Sequence, residues 1–132
     1  MLDSVVDGAN ADGLEAIEVR TRAALDATVA DVVSADAYVL GTPANLGYMS
    51  GALKHFFDTI YNDCLDVTAK RPFGLYLHGR TDTDGARLAV EKITTGLGWR
   101  MAQEPVSSLG PLDSETRDRL WNLGATVAAV LI

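Results

Sequence analysis

Gly41-Thr42-Pro43-Ala44-Asn45-Leu46-Gly47-Tyr48-Met49-Ser50-Gly51 is the stretch of this chain best equipped for chemistry. It follows the unbroken apolar run Ala37-Tyr38-Val39-Leu40 and precedes the helical pattern Leu53, Phe56, Phe57, Ile60, Tyr61, Cys64. A strand, a glycine-rich loop and a helix in that order mark a ligand site in an open α/β sheet, because ligands bind at the carboxyl ends of the strands. Glycines there let backbone N–H groups approach a flat or anionic ligand closely. A second strand, Pro72-Phe73-Gly74-Leu75-Tyr76-Leu77-His78, also empties into a polar loop, Gly79-Arg80-Thr81-Asp82-Thr83-Asp84-Gly85. Direct catalysis by side chains is poorly supported. Cys64 lies on an apolar helix face and reads as a reduced, buried thiol. His55 sits beside Phe56 within a helix and reads as structural, and Asp82 and Asp84 read as a turn and a cap. No His, Cys and carboxylate cluster has metal-ligand spacing.

The elements that must position these loops follow from periodicity. Leu2, Val5, Val6 and Ala9 recur with helical spacing, and the stretch from Gly8 to Gly13 ends that pattern. Ile17 and Val19 then alternate with Glu18 and Arg20, which predicts an edge strand. Thr28 is placed to cap a brief helix carrying Val29, Val32 and Val33, and Ser50 to cap a helix running to about Asp63. Ala86, Ala89, Val90, Ile93 and Leu97 form the apolar face of another helix, stopped by Gly96 and Gly98. A strand is expected near Arg100 to Ser107, then a last helix capped by Asp113 with Leu120, Leu123, Val127 and Leu131 facing inward. Strands alternating with helices predict an α/β fold with a parallel sheet, right-handed crossovers and helices on both faces.

The 132 residues, 48% of them hydrophobic, fit a single domain spanning residues 1–132, with one core. Eleven basic residues against 18 acidic ones give a net charge of −7, which opposes binding to nucleic acid or an anionic membrane and favours a small-molecule partner. With one cysteine no intrachain disulfide can form. The amino terminus has early acids and no apolar h-region, and no run approaches the ~18 apolar residues of a membrane span, so a cytoplasmic protein is expected. A phosphorelay receiver would need an aspartate where this chain has Gly41-Thr42-Pro43.

The stretch from Tyr38 through Gly79, with TPANLGYMSGALKHFFDTIY at its centre, closely resembles the flavodoxin-like NAD(P)H-dependent FMN reductase and quinone reductase family. The match runs more loosely to the carboxyl terminus. The resemblance implies a flavodoxin-like three-layer α/β/α sandwich with a parallel sheet in the order 2-1-3-4-5 and FMN lying across the carboxyl ends of strands 1, 3 and 4. By position, Pro43, Ala44, Asn45, Leu46, Gly47 and Tyr48 would contact the isoalloxazine ring. His78, Gly79, Arg80, Asp84 and Gly85 would belong to the loop that closes the other side. Tyr48 offers a ring for stacking, the amides around Asn45 to Gly47 could reach N5 or O4, and His78 could bond the ring or a substrate or be structural. The implied activity is an oxidoreductase in which FMN takes hydride from NAD(P)H and passes electrons to a quinone, free flavin or similar acceptor. A dimer or tetramer is expected.

The sequence departs from that family at the front. Members begin with an apolar strand and a Ser/Thr/Gly/Asn-rich loop that cradles the FMN phosphate at the first helix's N-terminus. Here Met1 already lies inside the helical periodicity. Strand 1 and the phosphate loop are therefore expected to be missing. Four or five buried apolar side chains at ~1.5–3 kcal/mol each amount to about 10 kcal/mol, comparable with the whole net stability of ~5–15 kcal/mol. Three charge-assisted phosphate bonds are worth roughly a thousandfold in affinity. A start upstream of Met1 is the expectation. If the short form is genuine, strand 2 must pair directly with strand 3, or another chain must fill the gap. Two further readings stay open: a flavin-free degenerate relative serving as a binding or oligomerisation module, and an electron-carrier flavodoxin.

Overall fold

The computed structural model describes all residues from Met1 to Ile132. Helix α1 (Leu2–Ala9) and the short α2 (Val29–Ser34) precede strand β1 (Tyr38–Pro43) and helix α3 (Gly51–Cys64). Strand β2 (Pro72–Gly79), helix α4 (Asp84–Leu97), the short strands β3 (Arg100–Met101) and β4 (Val106–Leu109), and helix α5 (Ser114–Ala129) complete the chain.

All strand pairings are parallel. β2 is central, with β1 on one side, Tyr38 opposite Phe73 through Pro43 opposite His78. On its other side β3 pairs with the amino half of β2 and β4 with its carboxyl half. Helices cover both faces, as an α/β sheet requires. Phe73, Leu75 and Leu77 of β2 join Phe56, Phe57 and Ile60 of α3 and Val90 of α4 in the larger core. Val5 of α1, Leu120, Leu123 and Val127 of α5 and Val106 of β4 form a smaller core on the opposite face. The backbones of α1 and α5 approach so closely that a Cβ on Gly8 would lie 1.9 Å from the Trp121 carbonyl oxygen and one on Gly124 2.0 Å from that of Val5. Only glycine fits at either position.

Local chemistry fixes the helix ends. The Thr28 hydroxyl accepts from the Asp31 N–H while the Asp31 carboxylate accepts from the Thr28 N–H, a reciprocal capping box. Ser50 and Asp113 accept from the N–H groups of Leu53 and Thr116. Gly98, at φ 76°, ends α4 in the left-handed region, with bonds from Gly98 to Thr95 and from Trp99 to Thr94. Gly96 lies inside that helix, so it is not a stop. Arg71 ties the start of β2 to the end of α2, its Nη1 donating to the carbonyls of Val33 and Ala35 at 2.7 Å. Tyr38 stacks on Trp99 with ring centroids 4.3 Å apart, and the Trp99 indole donates to the buried Thr68 hydroxyl at 2.8 Å.

Four expectations are corrected. Ile17 to Arg20 form no strand: the alternation is real, with Ile17 and Val19 half-buried and Glu18 and Arg20 exposed, but no backbone ladder is within reach. Strand 2 therefore does not pair with strand 3, and the expected order 2-1-3-4-5 is represented only by its last three places, β1, β2 and the β3/β4 pair. The strand expected from Arg100 to Ser107 is split: the Ala102 N–H still bonds the Phe73 carbonyl at 2.8 Å, but Gln103 to Pro105 leave the ladder, and Pro105 has no N–H to give it. Leu131 lies beyond the end of α5 and is exposed rather than inward-facing. No helix is long and apolar enough to cross a membrane.

Candidate functional site

The carboxyl ends of β1, β2 and β4 come together at one edge of the sheet. After β1, Asn45 and Tyr48 exchange backbone bonds of 2.8 and 2.9 Å and form an isolated antiparallel bridge. The two residues between them, Leu46 and Gly47, have φ of 50° and 75°, so the loop is a tight hairpin with both central residues left-handed. Glycine takes that conformation without strain, whereas Leu46 does not, and its side chain is fully exposed. The N–H groups of Leu46 and Gly47 have no protein partner, whereas that of Asn45 is taken.

This hairpin is held from below and from the side. The Ala44 N–H bonds the His78 carbonyl at 2.7 Å. Buried Thr42 donates its hydroxyl to the Pro43 carbonyl and accepts from the Ser50 N–H, which joins the strand end to the start of α3. Gly85, in the first turn of α4, sits against the hairpin tip: a Cβ there would lie 2.0 Å from the Gly47 carbonyl oxygen. Gly79 packs likewise on the Asp82 carbonyl and Ala44. The two loops are thus one docked unit. The end of β4 completes it through Gly110, whose N–H bonds the Gly79 carbonyl and whose carbonyl lies 2.7 Å from Nε2 of His78. The Thr83 hydroxyl donates to that of Ser107.

Beside this unit lies a hollow of about 330 Å³ lined by Met1, Leu2, Gly41, Thr42, Pro43, Tyr76 and His78. Of the expected residues, Pro43 and His78 line it, Ala44, Asn45, Leu46, Gly47 and Tyr48 form the adjoining hairpin, and Gly79, Arg80, Asp84 and Gly85 form the loop locked to it. Tyr48 is partly exposed, and Arg80 is exposed with no ion-pair partner. Asp84 opens α4, and its N–H bonds the Asp82 carboxylate. Sequence reasoning missed Met1, Leu2, Tyr76 and the Gly110 turn; Gly41 and Thr42 stand in the glycine-rich stretch it singled out but outside the residues expected to touch the ring. The Gly110-Pro111 pair is a turn signal that could have pointed to the last of these.

The hollow has no nucleophile and base in mutual contact. His78 spends Nε2 on a carbonyl, and burial pushes the Tyr76 phenol up, keeping it neutral. No cluster of three His, Cys, Asp or Glu side chains could hold a metal ion. The arrangement binds and orients. A hollow of 330 Å³ stands at the small end of ligand sites, ~300–1,000 Å³, enough for a planar ring system flanked by free amides. The phosphate of FMN fits less well, because the helix start that reaches the hollow, α1, carries Met1 and Leu2 and then an acid, Asp3, in its first turn. That carboxylate repels an anion.

Known proteins place the architecture. No family model matches the chain. A flavodoxin of Aquifex aeolicus (strain VF5) is 40% identical over 63 residues, 48% of this chain, and the match spans only 33% of that protein's length. Among solved structures, an archaeal flavodoxin superposes with a TM-score of 0.79 at 13% identity, covering 98% of this chain and 89% of that one. A flavodoxin, WrbA-like protein from Agrobacterium tumefaciens gives 0.73 at 20% identity, covering 97% and 85%. With a parallel sheet between two helical layers and its loops gathered at the carboxyl edge, the chain has the flavodoxin-like fold.

Proposed function

We propose that the carboxyl-edge hollow holds the isoalloxazine end of FMN and that the protein is a flavin-dependent oxidoreductase. It would draw hydride from NAD(P)H and deliver electrons to a small-molecule acceptor such as a quinone or free flavin. The observation that carries this reading is the docked pair of loops: Gly85 on Gly47 and Gly79 on Ala44 lock the hairpin beside the hollow and leave the Leu46 and Gly47 N–H groups without a protein partner. Pre-organised donors beside an apolar slot are what a flavin's pyrimidine edge and ring need. The similarity to a flavodoxin and to a WrbA-like protein supports the same choice of ligand. When bound, the flavin would supply the redox chemistry, taking up two electrons and a proton as hydride and passing the two electrons, with that proton and one from solvent, to a quinone. Thr42 keeps the hairpin in register, Tyr48 and Tyr76 offer aromatic faces, and His78 fixes the Gly110 turn through its ring.

A second reading, a flavin-free binding module, is favoured by one observation, the acid Asp3 in the first turn of α1, which repels an anion at the helix start that reaches the hollow. Titration of the protein with FMN and with riboflavin, read by quenching of flavin fluorescence, separates the two. The flavin reading expects both ligands to saturate one site, because the hollow is read as holding the ring end that the two share. No binding of either flavin at saturating concentration would sink it in favour of the second reading. Flavin-dependent oxidation of NADPH or NADH with a quinone then tests the reductase step.

A further inference from the structure

The hollow has room for one ring system, so whatever else a longer ligand carries must lie outside it, over the loops at the carboxyl edge. Those loops are poor in positive charge. Among residues 44–50, 80–83 and 110–113, which follow β1, β2 and β4, Arg80 is the one lysine or arginine, against Asp82 and Asp113. The cations on the helices beyond are committed or set back: Lys54 bonds Asp58 at 2.7 Å, Arg87 bonds Glu91 at 2.7 Å and Glu104 at 3.1 Å, and Arg117 stands a turn inside α5. Arg80 is exposed, has no ion-pair partner and lies two residues beyond His78, which lines the hollow, without lining it itself. Its backbone is held on both sides. The Gly79 carbonyl before it accepts from the Gly110 N–H at 3.1 Å, and the Asp82 carboxylate after it accepts from the Asp84 N–H at 3.2 Å. A free guanidinium on a fixed stem, beside a ring-sized hollow, is placed to meet the anionic part of a ligand whose ring is inside.

Resting on the flavin reading of the hollow, we propose that Arg80 binds a phosphate of the nicotinamide dinucleotide that reduces the flavin. The flavin ring does not need this cation, since the unpartnered Leu46 and Gly47 N–H groups serve its pyrimidine edge. A dinucleotide does need it. It brings a charged pyrophosphate and, as NADPH, a 2′-phosphate of about −1.5 to −2 charge. The chain carries a net charge of −7, which repels both within about a Debye length of ~8 Å. One uncommitted cation at the edge offsets that repulsion where it matters. The planar guanidinium fork also meets two phosphate oxygens at once, which a lysine ammonium does not. Pyrophosphate and 2′-phosphate present the same chemistry to Arg80, and discrimination between NADPH and NADH tells which of them it holds.

The first measurement needs no flavin. The isotopically labelled full chain is titrated with NADP⁺ and with NAD⁺ while the arginine Nε–H signals are followed, that of Arg80 being identified by its loss in Arg80→Gln. A saturable shift of the Arg80 signal with both dinucleotides is expected if the pyrophosphate is held, and with NADP⁺ alone if the 2′-phosphate is; no shift with either overturns the proposal. The second measurement uses the protein loaded with flavin. Arg80→Gln should raise KM for NADPH about tenfold, the value of one charged hydrogen bond. The effect should fall on KM rather than kcat, and Arg80→Lys should recover only part of it. Arg100→Gln removes the same charge from the exposed start of β3, beside the amino half of β2, and should leave KM within about twofold. Equal effects of the two variants, or loss of FMN affinity without loss of riboflavin affinity in Arg80→Gln, would overturn the proposal. If neither flavin binds the parent protein, the flavin reading falls separately, and the Arg80 signal still decides for or against the arginine.

Discussion

Replacement of Gly85 by alanine sets two effects of opposite sign against each other. Gly85 is the second residue of α4, and alanine is favoured over glycine in a helix by up to ~1 kcal/mol. If the loop after β1 only rested near α4, Gly85→Ala would stabilise the protein by a few tenths to 1 kcal/mol, about what a compatible site gives. The geometry argues otherwise: the new Cβ would stand 2.0 Å from the Gly47 carbonyl oxygen, inside the 3.0 Å limit that real contacts respect. The obstacle is backbone and cannot rotate away, so hairpin and helix must part by about 1 Å. Overpacking of this kind costs ~1–3 kcal/mol, which outweighs the helical gain. The expected net effect is destabilisation of roughly 0.5–2 kcal/mol and weaker flavin binding. Gly51→Ala is the matched control, because Gly51 opens α3, has open space around it and gains the helical term without a clash. Urea unfolding followed by tryptophan fluorescence, with unchanged m-values, reads both variants. A Gly85→Ala protein as stable as Gly51→Ala, with flavin affinity unchanged, would refute the claim that the two loops form one docked unit.

Arg71→Ala should cost roughly 1–2 kcal/mol, the value of charged hydrogen bonds to carbonyls that are exposed or part-buried, with Arg71→Lys recovering only part of it; denaturant midpoints report both. Cys64 is fully buried, and burial first, then the neighbouring Asp63 charge, pushes its thiol up, so a disulfide-exchange reagent should label it only after denaturant is added. The Thr116 hydroxyl and then its N–H hold the Asp113 carboxyl below the ordinary aspartate range. Its contribution is thus fully present above the unfolded value of ~3.9 and lost as pH falls through the lower folded value. Melting temperatures between pH 6 and pH 3 should fall more steeply for the parent than for Asp113→Asn, which keeps a capping oxygen without the titration.

The helix starts were legible because each is a transaction among neighbours: Thr28, Ser50 and Asp113 find their partners three residues on. The buried strand β2 was legible because a strand covered on both faces must be apolar throughout. What failed were features that need a distant partner. Ile17 to Arg20 have the alternation of a strand, but a strand is a pair, and no strand pairs with them. Leu131 continues the helical spacing of Leu120 and Val127 past the point where α5 has ended. Pro105 carried its warning openly, since a residue without an N–H cannot donate to a ladder.

The candidate site divides the same way. That two loops stand at the carboxyl ends of strands follows from strand order alone, and so did their residues. That the loops interlock does not, because the contact of Gly85 with Gly47 depends on how α4 leaves β2, and the bond of His78 to Gly110 spans 32 positions. Tyr76 stayed hidden inside an apolar run, where a polar group gives no periodic signal. Tyr76 matters beyond the hollow. Its ring lies over Gly41, where any Cβ would stand 2.1 Å from it, and it lines both the hollow and the groove beside β1.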